Sequence, residues 1–67
     1  MCETIKVNST AISEVTYDYN THILTIQFVR GAEYAYPDVP VTEFQKLVSA
    51  PSVGKYFNTH IKQYGVR

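Results

Sequence analysis

Tyr34-Ala35-Tyr36 sets two tyrosines two positions apart, and Lys55 stands fifteen positions beyond Pro40 in the segment Ser52-Val53-Gly54-Lys55. On a strand, residues i and i+2 share a face, so both rings project the same way. A ring there can stack on a nucleobase, worth about 1–3 kcal/mol per base, and its hydroxyl can bond a ribose or a phosphate. The same pair also serves a core, with the apolar body inside and the polar tip at the rim. The spacing fits both roles.

Ser52, Gly54 and Lys55 read as the start of a helix. The first helical N–H groups lack intrahelical partners, and the helix dipole makes that end positive. Phosphate at such an end is a common arrangement. Gly54 permits a close approach to the backbone and Lys55 adds a full charge. The pattern is not a P-loop, since G-x-x-x-x-G-K-[ST] is absent. Capping accounts for Ser52 and helix packing for Gly54, but neither accounts for Lys55. Tyr56, Asn58 and His60 extend the same helix. The candidate ligand-binding set is therefore Tyr34, Tyr36, Ser52, Gly54, Lys55, Tyr56, Asn58 and His60.

Catalytic patterns are missing from the chain. There is no histidine–nucleophile motif, no H-E-x-x-H and no paired-carboxylate signature. His22 and His60 have no cysteine or carboxylate at fixed spacing, so no zinc site is expected. Asp18, at the end of a strand, reads as support for a turn. The expectation is a binding protein without catalysis, cofactor or metal.

The elements that must position these residues follow from periodicity. Val15, Tyr17 and Tyr19 alternate with Glu14, Thr16 and Asp18, which predicts a half-buried strand over 12–19. Leu24, Ile26 and Phe28 alternate with Thr25, Gln27 and Val29, which predicts its hairpin partner over 22–30. Gly31 supplies a positive φ for the next turn, and 32–36 closes a meander. Ile5 and Val7 alternate with polar residues and make a fourth, edge strand possible near the N-terminus. Pro37 and Pro40 end the sheet. Pro40 suits the first turn of a helix over 40–49, bearing Phe44, Leu47 and Val48. Ser49-Ala50-Pro51-Ser52 separates it from a second helix over 51–63, with Val53, Phe57 and Ile61 on one stripe and Tyr56, His60 and Tyr64 on the next; Gly65 stops it. The expected fold is α+β: an antiparallel β-meander of three or four strands followed by two short helices packed on one face, forming a single domain over 1–67.

Composition bounds the partners. Sixty-seven residues bury only about 60% of the surface that the unfolded chain exposes, so a homodimer that adds buried area is expected. The net charge is zero, divided into −2 over residues 1–33 and +2 over 34–67. That imbalance suits a small phosphate-bearing ligand better than a nucleic acid, whose binding domains show a stronger basic patch. Cys2 is the single cysteine and no disulfide can form within the chain, which suits a reducing, cytoplasmic setting; Cys2, in the terminal segment, is assigned no role. No run is long and apolar enough to span a membrane.

Taken in order, Ser9, Ile12, Tyr17-Asp18, Leu24-Thr25-Ile26-Gln27-Phe28, Gly31, Tyr34-Ala35-Tyr36, Val39-Pro40, Ser52-Val53-Gly54-Lys55-Tyr56-Phe57-Asn58 and Ile61 resemble the KTSC domain family over about four-fifths of the chain. The family is named for a domain at the C-terminus of some lysyl-tRNA synthetases, and it also occurs as small single-domain proteins of bacteria and phages. The resemblance implies the α+β architecture, and RNA binding has been suggested for the family. The tail Gln63-Tyr64-Gly65-Val66-Arg67 carries fewer arginines than the family pattern. The expected function is binding or sequestration of a nucleotide or nucleotide-like signalling molecule. RNA or tRNA binding is the second expectation, and a protein adaptor using a sheet edge the third.

Overall fold

The computed structural model describes residues 1–65. Val66 and Arg67, counted above in the charge balance and the tail, lie outside them. Four strands, β1 (Cys2–Lys6), β2 (Ile12–Asp18), β3 (Ile23–Phe28) and β4 (Glu33–Tyr36), pair antiparallel in the order β1-β2-β3-β4. The meander is therefore four-stranded. β1 lies further towards the N-terminus than Ile5 and Val7 suggest, with Cys2 opposite Asp18 and Lys6 opposite Glu14. The terminal segment containing Cys2 is thus a paired strand, and the cysteine itself is exposed.

Alternation in β2 carries one irregularity. Ile12 pairs with Phe28 and Glu14 with Gln27, leaving Ser13 as a bulged residue. Its hydroxyl donates to the Gln27 carbonyl at 3.1 Å. A bulge adds one residue and shifts the alternation. Ile12 and Val15, an odd number of positions apart, are consequently both fully buried. The β2–β3 turn is held by Asp18, whose carboxylate accepts from the N–H groups of Asn20 (2.8 Å) and Thr21 (3.3 Å). Those bonds hold the Asp18 carboxyl below its ordinary pKa. Gly31 takes φ +106° in the β3–β4 turn, as the sequence predicts.

One face of the sheet is covered by helices. α1 (Val41–Ser49) starts one residue later than expected, because Pro40 keeps an extended ψ of 149° and acts as the cap. Its carbonyl accepts from Glu43 N–H at 3.0 Å. Ala50, ahead of Pro51, is extended and ends the helix. The second helix is not uniform. α2 (Val53–Tyr56) passes into a π-helical turn over Phe57–Ile61 and then a tight turn over Lys62–Tyr64. The widened turn is closed by the Lys62 N–H donating to the Phe57 carbonyl. Gly65, at φ +82°, ends it.

The core lies between sheet and helices. Ile12, Val15 and Tyr17 of β2 meet Leu24 and Ile26 of β3, Phe44 and Leu47 of α1, and Val53, Phe57 and Ile61 of the second helix. Each such aliphatic or aromatic side chain stabilises the fold by about 1.5–3 kcal/mol on full burial. Tyr17 lies flat on Phe44, with ring centroids 5.0 Å apart. Its hydroxyl donates to the Val39 carbonyl at 2.6 Å, so the polar tip is satisfied inside. Among the described residues, no side-chain polar atom is buried without a partner.

Candidate functional site

Tyr34 and Tyr36 share the helix-covered face, opposite Ile26 and Leu24 respectively, but they do different things. Tyr36 is 2% exposed and packs against Phe57 at 5.6 Å, as part of the core. Burial, and the neighbouring Tyr34 phenol, raise its pKa. Tyr34 is 36% exposed, at the rim. Its ring meets Phe28 edge-on at 5.6 Å, and Phe28 in turn meets Phe57 at 5.5 Å.

These rings line a cleft of about 610 Å³, whose remaining wall is polar: Arg30, Asn58, Lys62 and Gly65. The Arg30 guanidinium carbon sits 5.7 Å from the Phe28 ring centre, a cation–π contact. The cleft thus offers exposed aromatic surface between two cations. Arg30 and Lys62 are absent from the set read off the sequence. Arg30 stands in the β3–β4 turn and Lys62 directly after the widened helical turn, and only the folding of these two turns brings them into one cleft. A partial signal exists in the sequence, since Phe28 and Arg30 are two apart, as Tyr34 and Tyr36 are.

Ser52, Gly54, Lys55 and Asn58 line a second depression, of about 570 Å³, against the loop before β2. Ser52 caps α2: its hydroxyl oxygen accepts from Lys55 N–H at 3.4 Å. A methyl group at Gly54 would sit 3.7 Å from the Ser9 hydroxyl and 4.0 Å from Ala11, ordinary contact distances. The α-carbon of Gly54 therefore faces the chain's own loop. Ser9 holds that loop by accepting from the N–H groups of Ala11 (3.2 Å) and Ile12 (3.3 Å). Lys55 is exposed.

Tyr56 and His60 lie elsewhere. They line a third depression of about 400 Å³ with Ala50, Pro51 and Thr59, and Lys55 reaches it as well as the second. The His60 ring lies 4.3 Å from that of Tyr56. The Tyr56 hydroxyl donates to the Glu43 carboxylate. That bond, aided by burial, pushes the phenol up to about 12. The eight candidates thus divide between an aromatic cleft, a helix-start depression and a helix–helix edge. Asn58 is the residue common to the first two.

Charge is segregated around these surfaces. Arg30 and Lys62 line the aromatic cleft and Lys55 the helix-start depression, while none of the acids among the described residues lines either. Glu14 and Glu33 sit on β2 and β4 facing away from the helices, Glu43 is held by Tyr56, and Glu3 accepts from Tyr19. Among the described residues no cluster of three or more His, Cys, Asp or Glu side chains could hold a metal ion, and no helix is long and apolar enough to cross a membrane.

Comparison with known proteins matches the geometry to a family. The KTSC domain model matches residues 8–64. A lysine–tRNA ligase of Trichormus variabilis is 40% identical over 58 residues, which are 87% of this chain and 10% of that protein. The chain thus spans about a tenth of the length of that relative. A protein of Tsukamurella paurometabola is 39% identical over 56 residues, 84% of each chain. The crystal structure of a KTSC domain protein from Yersinia pestis superposes with a TM-score of 0.87 at 34% identity, covering 92% of this chain and 87% of that one. The fold, the matched span and these relatives agree: the chain belongs to the KTSC domain family.

Proposed function

We propose that the domain is a non-enzymatic binding module for a nucleotide unit, a base joined to a phosphate, held in the cleft of Phe28, Arg30, Tyr34 and Lys62. The observation that carries this is exposed aromatic surface flanked by two cations, with no carboxylate lining the cleft among the described residues. Tyr34 supplies a ring for stacking and Arg30 a planar, permanently charged donor fork suited to phosphate. Lys62 adds a point charge, and Asn58 a pair of donors and an acceptor for a base edge. Binding is the whole of the proposed activity. The name of the lysine–tRNA ligase relatives includes a nucleic acid, which supports the same ligand chemistry.

Titration with adenosine and cytidine monophosphates, followed by amide chemical shifts, tests this reading. Shifts should concentrate at residues 28–34 and 57–62. Tyr34→Ala should weaken binding about ten- to a hundredfold, the worth of one stacked base. Tyr34→Phe should retain most of it, because the ring persists. Shifts confined to other surfaces, or unaffected by Tyr34→Ala, would defeat the assignment.

A further inference from the structure

The helices cover one face of the sheet, and the opposite face carries its own pattern. Through its middle runs a row of Thr4, Thr16, Thr25 and Ala35, each opposite the next across the four strands. These side chains are short, and Thr16, Thr25 and Ala35 are already half-buried. The Thr4 and Thr16 hydroxyls satisfy each other at 2.8 Å. Towards one end of the strands lies the row Lys6, Glu14, Gln27 and Glu33. Towards the other lie half-buried Ile23 and Asp18, whose carboxylate is turned to the N–H groups of Asn20 and Thr21. The centre of the face is therefore low and uncharged. Lys6, on edge strand β1, and Glu33, on edge strand β4, occupy two outer corners at the same end. Uncharged centres with polar rims are the usual anatomy of protein–protein contacts.

We infer that this face docks on the same face of a second copy of the chain, about a two-fold axis running along the strands. Two sheets packed in this aligned way keep their strand directions within about 30°. β1 of one copy then lies over β4 of the other. Lys6 meets Glu33 of the second copy, and by symmetry Glu33 meets Lys6 of the second copy, so the corners are complementary in charge twice over. Thr16 falls on Thr25 of the second copy, Thr4 on Ala35, and Glu14 on Gln27, whose amide can donate to it. A two-fold axis across the strands would instead set Glu14 over Asp18 of the second copy, acid against acid. The charges thus select the first arrangement. Short side chains in the middle row let the sheets approach to about 10 Å, the ordinary spacing of packed sheets. Four strands about 4.8 Å apart and about five residues long give a face of about 19 by 17 Å. That is at the small end for specific contacts, so the dimer is weak, with a dissociation constant of about 10–1,000 µM. Tyr34 belongs to the helix-covered face, so the aromatic cleft stays open in both copies, and the pairing does not depend on what that cleft binds.

Sedimentation equilibrium from about 10 µM to about 1 mM tests the pairing, with reductant present because Cys2 is exposed. The parent should pass from monomer towards dimer across that range, more completely at low salt than at high. Lys6→Glu should weaken the dimer at least about tenfold, because symmetry turns two attractive contacts into two repulsive ones. Glu33→Lys should do the same. Both changes in one chain exchange the corners and should restore the parental association, an outcome that misfolding cannot imitate. Thermal melts of the single variants confirm that each remains folded. A parent that stays monomeric at the highest concentration overturns the pairing. So does a dimer indifferent to Glu33→Lys, as one formed through the β1 edge would be, or a double variant that associates no better than the single ones.

Discussion

Tyr56 on the second helix donates its phenolic hydrogen to the carboxylate of Glu43 on α1, thirteen residues earlier in the chain. This bond ties the two helices together. It favours the neutral phenol and is the main reason that the Tyr56 pKa stands near 12. A phenol in the unfolded chain ionises near about 10. Because the folded value is raised, the bond's stabilisation is fully present below about pH 10 and is lost as pH rises towards 12. Tyr56→Phe should melt at a lower temperature than the parent at neutral pH. The gap should close across that alkaline window, as read by circular dichroism melts at stepped pH. A gap that is unchanged across the window would show that the hydroxyl contributes nothing through Glu43.

Tyr17→Phe should destabilise the domain more than a surface hydroxyl loss would. The Tyr17 hydroxyl donates to the Val39 carbonyl inside the core. Its removal leaves that carbonyl without this donor, at a cost of about 1–3 kcal/mol. In a domain this small, each kcal/mol lowers the melting temperature by about 4–8 °C. Stacking on Phe44 survives the change, so the shift measured in a thermal melt isolates the hydrogen bond.

Tyr34 and Tyr36 should part company on truncation. Tyr36→Ala empties a core position packed on Phe57, with an expected loss of about 3–5 kcal/mol. Tyr34→Ala removes a ring at the rim and should leave the melting temperature within a few degrees of the parent. Its effect should appear instead in nucleotide titrations. Paired melts and titrations of the two variants separate core from site. Equal destabilisation by both would remove Tyr34 from the binding assignment.

His22 and Asp38 both adopt left-handed backbone, at φ +61° and +58°, and they flank one depression beside Val39 and Pro40. Glycine adopts that conformation without steric cost. Asp38→Gly should therefore leave stability unchanged or raise it slightly. Asp38→Val, which puts a β-branched side chain at a positive φ, should lower it by about 1–3 kcal/mol. Urea titration of the two variants checks the sign as well as the size.

The sequence makes most of this architecture legible because the relevant residues alternate or recur cleanly. Val15 with Tyr17, and Leu24 with Ile26, declare a buried strand face, and Pro37, Pro40 and Pro51 mark the boundaries. β1 is less readable because four of its five residues are exposed, which leaves no apolar stripe to detect. The bulge at Ser13 is hidden because a single serine carries no signature of becoming the extra residue. The π-helical turn is equally hidden, since Val53, Phe57 and Ile61 recur every four residues in a regular helix as well. In the site, Tyr34 and the helix-start lysine are visible as residue types at telling positions. Arg30 and Lys62 are not, because their partnership depends on how two separate turns fold back.

The widened turn also has a meaning in terms of insertion. A π-helical turn holds one residue more than an α-helical turn, and each residue of a regular helix advances the side-chain direction by about 100°. Everything after Ile61 is therefore rotated by about that much from where an uninterrupted helix would place it. Deleting one residue within 57–61 would let the helix wind evenly. It would also keep Lys62 close to its present place in the cleft shared with Arg30, because the widened turn absorbs the one extra residue that the deletion removes.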